Sequence, residues 1–180
     1  KKTKTEEPRF VDAYKMNGSM LGSGAFGDVV PCENRETGER VAVKIVRDAI
    51  PGSSSHLRVL HEVCCAHVFR ECPTTVDLVE SFHEGDIYYN VYKLMEGGDL
   101  SSVLRKRGRL TMQEASKVCG DVAIALLHMH TSGVAHRDVK PANILCERVG
   151  KPYPARLADF DLASDFPSDQ KHRTKAQEMF

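Results

Sequence analysis

The sequence predicts an α+β fold in which a part rich in antiparallel strands is followed by a part rich in helices. Short runs of β-branched and aromatic residues, broken by glycine-containing turns, fill the first half of the chain. After Gly97 and Gly98 the apolar residues change to helical spacing. A chain of 180 residues, 41% of them hydrophobic, is large enough to bury a core. We therefore expect five strands with one main helix, and then the helical beginning of a second region.

Turn residues and capping signals give the order of the elements. The predicted strands cover residues 16–21, 28–32, 40–46, 76–82 and 87–95. A turn at 36–39 joins the second and third strands as a hairpin. Ser55 can cap the main helix, and Pro73 follows that helix as a stop signal. Two further helices are predicted over 100–106 and 112–130, before irregular and short-strand segments complete the chain.

Three regions are expected along the chain. Residues 1–13 are predicted to be a disordered leader, because the first eight positions are polar and contain few apolar residues. Residues 14–95 form the strand-rich region, and residues 96–180 form the helix-rich region.

Charge and hydropathy exclude several classes of function. Lysine plus arginine equals aspartate plus glutamate at 25 each, so the net charge gives no reason to expect nucleic acid or a membrane surface as a partner. The longest apolar stretches are too short to span a bilayer, and the N-terminal residues lack the apolar core of a secretory signal. We expect a cytoplasmic or also nuclear protein whose six cysteines are free thiols. A metal site among the histidines and cysteines of 61–72 is the less favoured alternative.

Gly22, Gly24 and Gly27 have the spacing G-x-G-x-x-G. That spacing alone is a weak signal, because it also opens dinucleotide-binding folds, where the glycines lead from a strand into a helix. Here they are followed by the strand residues Val29 and Val30. This order favours a glycine-rich hairpin whose backbone N–H groups can approach nucleotide phosphates without a Cβ in the way.

Lys44 lies among small and branched apolar residues in the next strand, where an unpaired ammonium would be costly to bury. Phosphate oxygens would supply an anion. Glu62 is the acidic residue inside the following helix and can pair with the lysine, so that Lys44 is held against the phosphates. The alternative is a lysine that extends to solvent at a strand edge.

The strongest signal is the string H-R-D-V-K-P-A-N at residues 136–143. Asp138 can accept or orient the proton of a substrate hydroxyl, and Lys140 can neutralise a γ-phosphate. Asn143 offers an amide oxygen to a hard cation such as Mg²⁺, and Asp159, within D-F-D at 159–161, offers a carboxylate to the same ion. His136 is expected to pack and form hydrogen bonds rather than to act as a base.

These motifs, in this order and spacing, resemble those of the eukaryotic protein kinase family over nearly the whole chain. The Lys140-Pro141 pair resembles serine/threonine kinases rather than tyrosine kinases. D-F-D in place of the usual D-F-G, with the stretches 9–15, 143–147 and 161–164, resembles the MAP-kinase-interacting kinases of the calmodulin-kinase class. The resemblance implies a two-lobed fold with ATP in the cleft, Mg²⁺ as cofactor, and transfer of the γ-phosphoryl group to a protein serine or threonine.

The resemblance also assigns residues by position. The catalytic set that it implies is Asp138, Lys140, Lys44 and Glu62, and the metal ligands are Asn143 and Asp159. The nucleotide-binding set is Leu21, Gly22, Gly24, Gly27, Val29, Ala42, Lys44, Tyr92, Lys93, Met95, Asp99 and Leu145. Within it, Lys93 and Met95 would use backbone groups of the hinge beside Tyr92 as gatekeeper, and Asp99 would contact the ribose or a basic substrate residue.

The resemblance implies the cap-binding translation initiation factor as the substrate and a MAP kinase as the activator. Ala142 departs from the usual glutamate and removes one acidic contact to a basic substrate residue. Asp161 in place of glycine and the small Ala66 predict that Asp159 and Phe160 rest in a withdrawn position.

An A-P-E motif is not reached before the end of the sequence, so the sequence predicts a kinase domain that stops in the activation segment. We expect residues 1–180 by themselves to be inactive as a kinase. The alternative functions are an ATP-binding regulatory module and an inactive truncated kinase.

Overall fold

The computed structural model of the protein describes residues 8–24 and 27–165, and these residues belong to two compact units. Unit 1 contains the residues up to 60 together with 78–94, and unit 2 contains 61–77 together with the residues from 95 onward. The prediction had assigned all of 14–95 to one strand-rich region, so the segment 61–77 is placed differently by the structure.

Backbone hydrogen bonds explain why the segment that ends at residue 77 belongs to unit 2. The N–H of Val76 donates to the carbonyl of Leu157 at 3.0 Å, and the N–H of Leu157 donates to the carbonyl of Thr74 at 2.8 Å. Arg156 adds side-chain bonds, since its guanidinium contacts the carboxylates of Asp77 at 3.0 Å and Glu147 at 2.6 Å. These long-range pairings are invisible in the local pattern of residues 61–77.

Unit 1 is built on one antiparallel sheet. Its strands are β1 (Tyr14–Met16), β2 (Gly22–Gly24), β3 (Gly27–Asn34), β4 (Arg40–Val46), β5 (Leu78–Glu84) and β6 (Ile87–Lys93). The strand order is β1-β3-β4-β6-β5, and β2 also pairs with β3. The predicted antiparallel sheet is confirmed. The predicted first strand at 16–21 is wrong over residues 17–21, which lie between the short strands β1 and β2, and these two strands pair with opposite ends of β3.

The short helix α1 (Phe10–Ala13) corrects the predicted disordered leader. Phe10 is only 2% exposed, its ring stacks on Tyr89 with centroids 4.3 Å apart, and its N–H donates to the carboxylate of Glu84 at 2.6 Å. The prediction of disorder over 1–13 is therefore wrong for residues 10–13, while residues 1–7 lie outside the described part. A single buried aromatic ring anchors a segment whose composition alone indicated disorder.

The core of unit 1 lies on one face of the sheet. It contains Phe10, Tyr14, Cys32, Val41, Val43, Ile45, Phe82 and Val91. Three of these residues alternate along β4, and successive side chains of a strand point to opposite faces. The residues between them, Ala42 and Lys44, therefore lie on the other face of the sheet.

The main helix α2 (Ser54–Val68) is present, but its cap and its buried face differ from the prediction. The hydroxyl of Ser53, rather than that of Ser55, accepts a hydrogen bond from the N–H of His56 at 3.1 Å. Leu57 and Leu60 have the spacing of an apolar helix face, which predicts that they are buried, but they are 59% and 42% exposed. The helix instead buries Val59, Glu62, Cys65 and Ala66.

Unit 2 contains two further helices and short strands. Its elements are α3 (Leu100–Arg107), α4 (Met112–Thr131), β7 (Gly98–Asp99), β8 (Val134–Ala135), β9 (Ile144–Cys146), β10 (Ala155–Leu157), β11 (Ser164–Asp165) and a 3₁₀ turn (Pro141–Asn143). The strands pair in the order β10-β9-β7, and β8 pairs with β11. Both predicted helices are confirmed to within one residue. A capping box between Thr111 and Glu114 explains why α4 begins sharply.

The predicted stop within the activation segment falls on residues 166–180, which lie outside the described part. Over residues 8–24 and 27–165, the structure contains no helix with the length and apolar composition needed to cross a bilayer.

Asn90 on β6 gives unit 1 a testable weak point. It is 0% exposed, its Oδ1 accepts from the hydroxyl of Ser81 at 2.6 Å, and its buried Nδ2 has no hydrogen-bond partner among the described residues. A buried amide nitrogen without a partner destabilises a fold by about 1–3 kcal/mol. Replacement of Asn90 by leucine should therefore raise the free energy of unfolding, although by less than that amount because the bond from Ser81 is lost as well; urea denaturation measures the change.

Ser81→Ala is the matched control, because it removes the bond that Asn90 accepts and leaves the amide in place. We expect this variant to lower stability by about 0.5–1.5 kcal/mol. A destabilised Asn90→Leu protein would show that the amide nitrogen is satisfied in solution, and the prediction would then fail.

Candidate active site

The glycine-rich hairpin of unit 1 uses its glycines for two different reasons. Gly27 has a φ of 134°, and a Cβ at this position would lie 2.5 Å from the carbonyl oxygen of Ile45. Gly27 is therefore required by the fold itself. A Cβ on Gly22 or Gly24 would meet nothing within 4 Å. Packing within the described residues does not demand these two glycines, so their bare backbone is left for the close approach of a ligand.

One face of the sheet carries several of the predicted nucleotide contacts. Lys44 on β4 is directly opposite Val29 on β3, and Ala42 is directly opposite Tyr92 on β6. Opposite residues of antiparallel strands share a face, as do residues two apart along a strand. The structure therefore brings these four side chains together on the face away from the core of unit 1. Leu21 adjoins this set, since its N–H donates to the carbonyl of Val29 at 2.8 Å.

The predicted hinge residues fall in different units. Lys93 ends β6 in unit 1, and Met95 belongs to unit 2, where its carbonyl accepts from the N–H of Gly98 at 3.0 Å. Asp99 pairs with Leu145 between β7 and β9, so two predicted nucleotide contacts are neighbours in unit 2.

Asp99 also has a structural role that the sequence analysis missed. It caps α3, because its Oδ1 accepts from the N–H of Ser102 at 2.8 Å and its Oδ2 accepts from the Ser102 hydroxyl at 2.6 Å. Its predicted contact to ribose or substrate stays a prediction.

His136 holds the loop 136–143, which carries the predicted catalytic residues and is called the catalytic loop below, in place as a neutral imidazole. Its Nε2 lies 3.0 Å from the carbonyl of Ala158, and its Nδ1 lies 3.2 Å from the N–H of Asp138. The first contact requires a protonated nitrogen and the second an unprotonated one, so a single neutral tautomer satisfies both. Burial also lowers the pKa of His136. The geometry therefore agrees with the expected packing and hydrogen-bonding role and fixes the backbone of Asp138.

Asp138, Lys140 and Asn143 form one hydrogen-bonded group in unit 2. The Nζ of Lys140 lies 2.7 Å from Oδ2 of Asp138, and the Nδ2 of Asn143 donates to the same oxygen at 2.9 Å. The bond from Lys140, supported by that from Asn143, lowers the pKa of Asp138, and the same ion pair raises the pKa of Lys140. Because Asn143 turns its nitrogen toward Asp138, its amide oxygen is the atom left for a metal ion.

The D-F-D segment is tied directly to this loop. The N–H of Ala158 donates to the carbonyl of Asn143 at 2.9 Å, while the carbonyl of Ala158 accepts from His136. Asp159 then adopts a φ of 68°, and Arg137 in the loop has a φ of 63°. Left-handed backbone is uncommon outside glycine and persists where the surrounding structure enforces it. Two such residues mark this part of unit 2 as conformationally constrained.

Phe160 does not occupy the withdrawn position predicted for it. It is 2% exposed, and its ring centroid lies 5.8 Å from that of Phe69 and 5.7 Å from that of His136. The prediction assumed that the small Ala66 leaves Phe160 too little surface to pack on. Phe69, just beyond the end of α2, supplies the missing aromatic contact.

Three carboxylates gather beside this segment. Glu62, Asp159 and Asp161 each offer an oxygen atom within 4.8 Å of the others, and Glu62 is only 3% exposed. Negative groups this close repel one another unless a cation lies nearby. The predicted pair of Lys44 with Glu62 joins residues of different units, and it stays a prediction.

Two residues next to the predicted site were missed in the sequence, although each left a signal. Phe69 follows Glu62 by seven positions, the spacing at which residues recur on one side of a helix. Asn90 is an amide within a strand of aromatic and apolar residues, directly opposite Lys44. A polar residue at a buried strand position is therefore a signal for a site, as the glycine motif is.

Comparison with known sequences gives one family. The family model for the protein kinase domain matches residues 16–179. The MAP kinase-interacting serine/threonine-protein kinase mnk-1 of Caenorhabditis elegans is 39% identical over 171 residues, which cover 93% of this chain and 24% of that protein.

Two vertebrate relatives extend the pattern. The MAP kinase-interacting serine/threonine-protein kinase 1 of Xenopus tropicalis is 38% identical over 87% of this chain and 37% of its own length. The MAP kinase-activated protein kinase 5 of Mus musculus is 33% identical over 88% of this chain and 34% of its own length. The chain thus spans about a quarter to just over a third of the length of these relatives. The predicted resemblance to MAP-kinase-interacting kinases is confirmed.

Proposed function

Because the chain belongs to the protein kinase family, we propose that it acts in the transfer of the γ-phosphoryl group of ATP to serine or threonine hydroxyls of proteins. The observation that supports this most directly is the group formed by Asp138, Lys140 and Asn143. It combines an acceptor for a hydroxyl proton, a cation for phosphate oxygens and an amide oxygen for a metal, which are the parts that phosphoryl transfer requires.

The residues present fit Mg²⁺, which this family uses. Asp159 and Asn143 would hold the ion, since Mg²⁺ prefers oxygen ligands and Asp159 lies in a group of carboxylates whose oxygens are within 4.8 Å of one another. When bound, Mg²⁺ neutralises charge on the nucleotide phosphates. Lys44 and the open backbone of Gly22 and Gly24 are the groups to which we assign the phosphates themselves.

The ion pair of Asp138 indicates how this carboxylate would act. Its pKa is lowered by Lys140, so it is ionised over the whole physiological range and has little tendency to bind a proton. A weak base of this kind acts best by accepting a hydrogen bond and orienting the hydroxyl. Lys140 would hold the γ-phosphate while its contact with Asp138 fixes the two groups relative to each other.

The finer proposals follow the relatives. Two of the relatives are named MAP kinase-interacting kinases, and we propose a MAP kinase as an upstream partner of the whole protein. We further propose that its substrate is the cap-binding translation initiation factor and that it works in the cytoplasm, with access to the nucleus.

The test is a phosphotransfer assay on the purified full-length protein. Labelled ATP, Mg²⁺ and a library of peptides containing serine, threonine or tyrosine should give label on serine and threonine alone. Residues 1–180 assayed in parallel should be inactive, in line with the sequence-based expectation. ATP binding without transfer to any protein or peptide would contradict the proposal and indicate a regulatory module.

A further inference from the structure

A basic segment lies at the end of α3 in unit 2. Arg105, Lys106, Arg107 and Arg109 fall within five consecutive residues, in a chain whose net charge is zero. All four are exposed. The segment is therefore a local concentration of positive charge on a protein whose charges balance overall.

Ion pairs within the protein neutralise only part of this positive charge. Arg107 pairs with Glu114 at 2.9 Å, and Arg105 reaches the hydroxyl of Ser102 at 2.7 Å, a neutral group. Within the described part of the chain, no carboxylate forms an ion pair with Arg105, Lys106 or Arg109. Three cations are thus presented to solvent together.

Stabilisation of the helix end does not explain the whole segment. Cations in the last turn of a helix interact favourably with its dipole, which accounts for Arg105 and Lys106. Arg109 lies beyond Gly108, the residue that ends α3 with a φ of 79°. The dipole effect fades within the last turn, so it does not account for Arg109.

The position of α3 connects this charge to the catalytic loop. The helix packs against the 3₁₀ turn 141–143, and Asn143 in that turn is bonded to Asp138. At that turn stands Ala142, which brings no negative charge of its own to the surface beside α3. A protein segment that presents its hydroxyl to Asp138 and continues along α3 would meet an excess of positive charge.

We propose that the segment 105–109 binds an acidic stretch of the phosphoacceptor protein. The inference rests on the proposed kinase function and names its substrate class. An eight-residue helix is about 12 Å long, and an extended peptide covers about 3.3 Å per residue. The acidic stretch should therefore lie roughly four to eight residues from the acceptor serine or threonine.

The test compares three peptides on the full-length protein. They share one serine and differ at four positions in that window, which carry glutamate, glutamine or lysine. The glutamate peptide should show about tenfold higher kcat/KM than the glutamine peptide, and the difference should shrink in high salt because exposed charges are screened. Binding of the same peptides, followed by fluorescence anisotropy, reports on the segment independently of phosphotransfer.

Two triple variants test whether the charges of the segment 105–109 cause the preference for the acidic peptide. R105E/K106E/R109E should shift the preference to the lysine peptide while kcat for the glutamine peptide and the KM for ATP stay unchanged. R105K/K106R/R109K keeps all three charges and should keep the preference for the glutamate peptide. Melting temperatures of both proteins verify that the fold is intact.

The outcomes separate this inference from the proposed function. If the protein phosphorylates no peptide but still binds the glutamate peptide through these residues, the proposed function fails and the acidic-partner surface stands. Equal binding of all three peptides by the unmodified protein, or an unchanged preference after charge reversal, would overturn the inference. Binding of single-stranded RNA through the same residues, without discrimination among peptides, would overturn it as well.

Discussion

Asp138→Asn is expected to lower kcat of the full-length protein by about three orders of magnitude, with the KM for ATP nearly unchanged. Proton acceptors and positioning groups of this type contribute roughly 10²–10⁴-fold to rate. The substitution keeps the shape of the side chain, but it removes the charge that pairs with Lys140 at 2.7 Å. The substrate hydroxyl would lose its acceptor, and Lys140 would lose the contact that positions it.

Val139→Ala is the control within the same loop, because Val139 is 45% exposed and takes no part in the hydrogen bonds around Asp138. It should keep near-normal turnover. Rates are measured at saturating ATP and peptide, and ATP affinity is measured by calorimetry. Turnover of Asp138→Asn within tenfold of the unmodified protein would remove Asp138 from its assigned role.

The order of elements could be predicted from the sequence because it depends on local signals. Turn glycines, the capping residues Thr111 and Glu114, and the change from strand to helical spacing act over a few residues. The catalytic loop could be recognised for the same reason. Its functional residues lie within eight consecutive positions, and the structure joins them by direct hydrogen bonds.

The larger errors of the sequence analysis concern contacts between distant parts of the chain. Phe10 is ordered because Tyr89 and Glu84, more than 70 positions later, receive its ring and its N–H. The exposed position of Leu57 on α2 likewise depends on which face of the helix meets later elements. Periodicity shows that a helix has an apolar face, but the choice among adjacent faces is made by tertiary packing.

The position of Phe160 shows the same limit at the site. Sequence reasoning treated Ala66 and Asp161 as the residues that decide where the ring lies. The structure adds Phe69 and His136, whose ring centroids lie 5.8 and 5.7 Å from that of the buried Phe160. The resting position of the Phe160 ring depends on all the residues packed around it. The residues of the motif alone do not identify these neighbours.

The second large effect is expected at Asp159, and Asp161 provides an unusually close control. Both carboxylates belong to the cluster with Glu62 in which oxygens lie within 4.8 Å. Asp159→Asn and Asp161→Asn therefore each remove one negative charge from the same cluster. A general loss of negative charge would affect the two variants alike, whereas the loss of a metal ligand would affect one of them.

Backbone geometry favours Asp159 as the ligand. The residue before it, Ala158, is bonded through its N–H to Asn143 and through its carbonyl to His136, which holds Asp159 in register with the other proposed ligand. Asp159 is also kept in the left-handed region at a φ of 68°, a conformation that the surroundings must enforce. Asp161 follows two residues later, beyond the buried ring of Phe160.

We therefore expect Asp159→Asn to lower kcat by about 10²–10³-fold and to abolish the increase in ATP affinity that Mg²⁺ produces, because ligand charge is lost at the metal. Asp161→Asn should keep both quantities within a few-fold of the unmodified protein. Calorimetric titration of ATP with and without Mg²⁺ distinguishes the two, and melting curves verify that both variants are folded. Equal losses in the two variants would mean that the summed charge of the cluster, rather than the position of Asp159, holds the ion. In that case the metal site would have to be reassigned to all three carboxylates together.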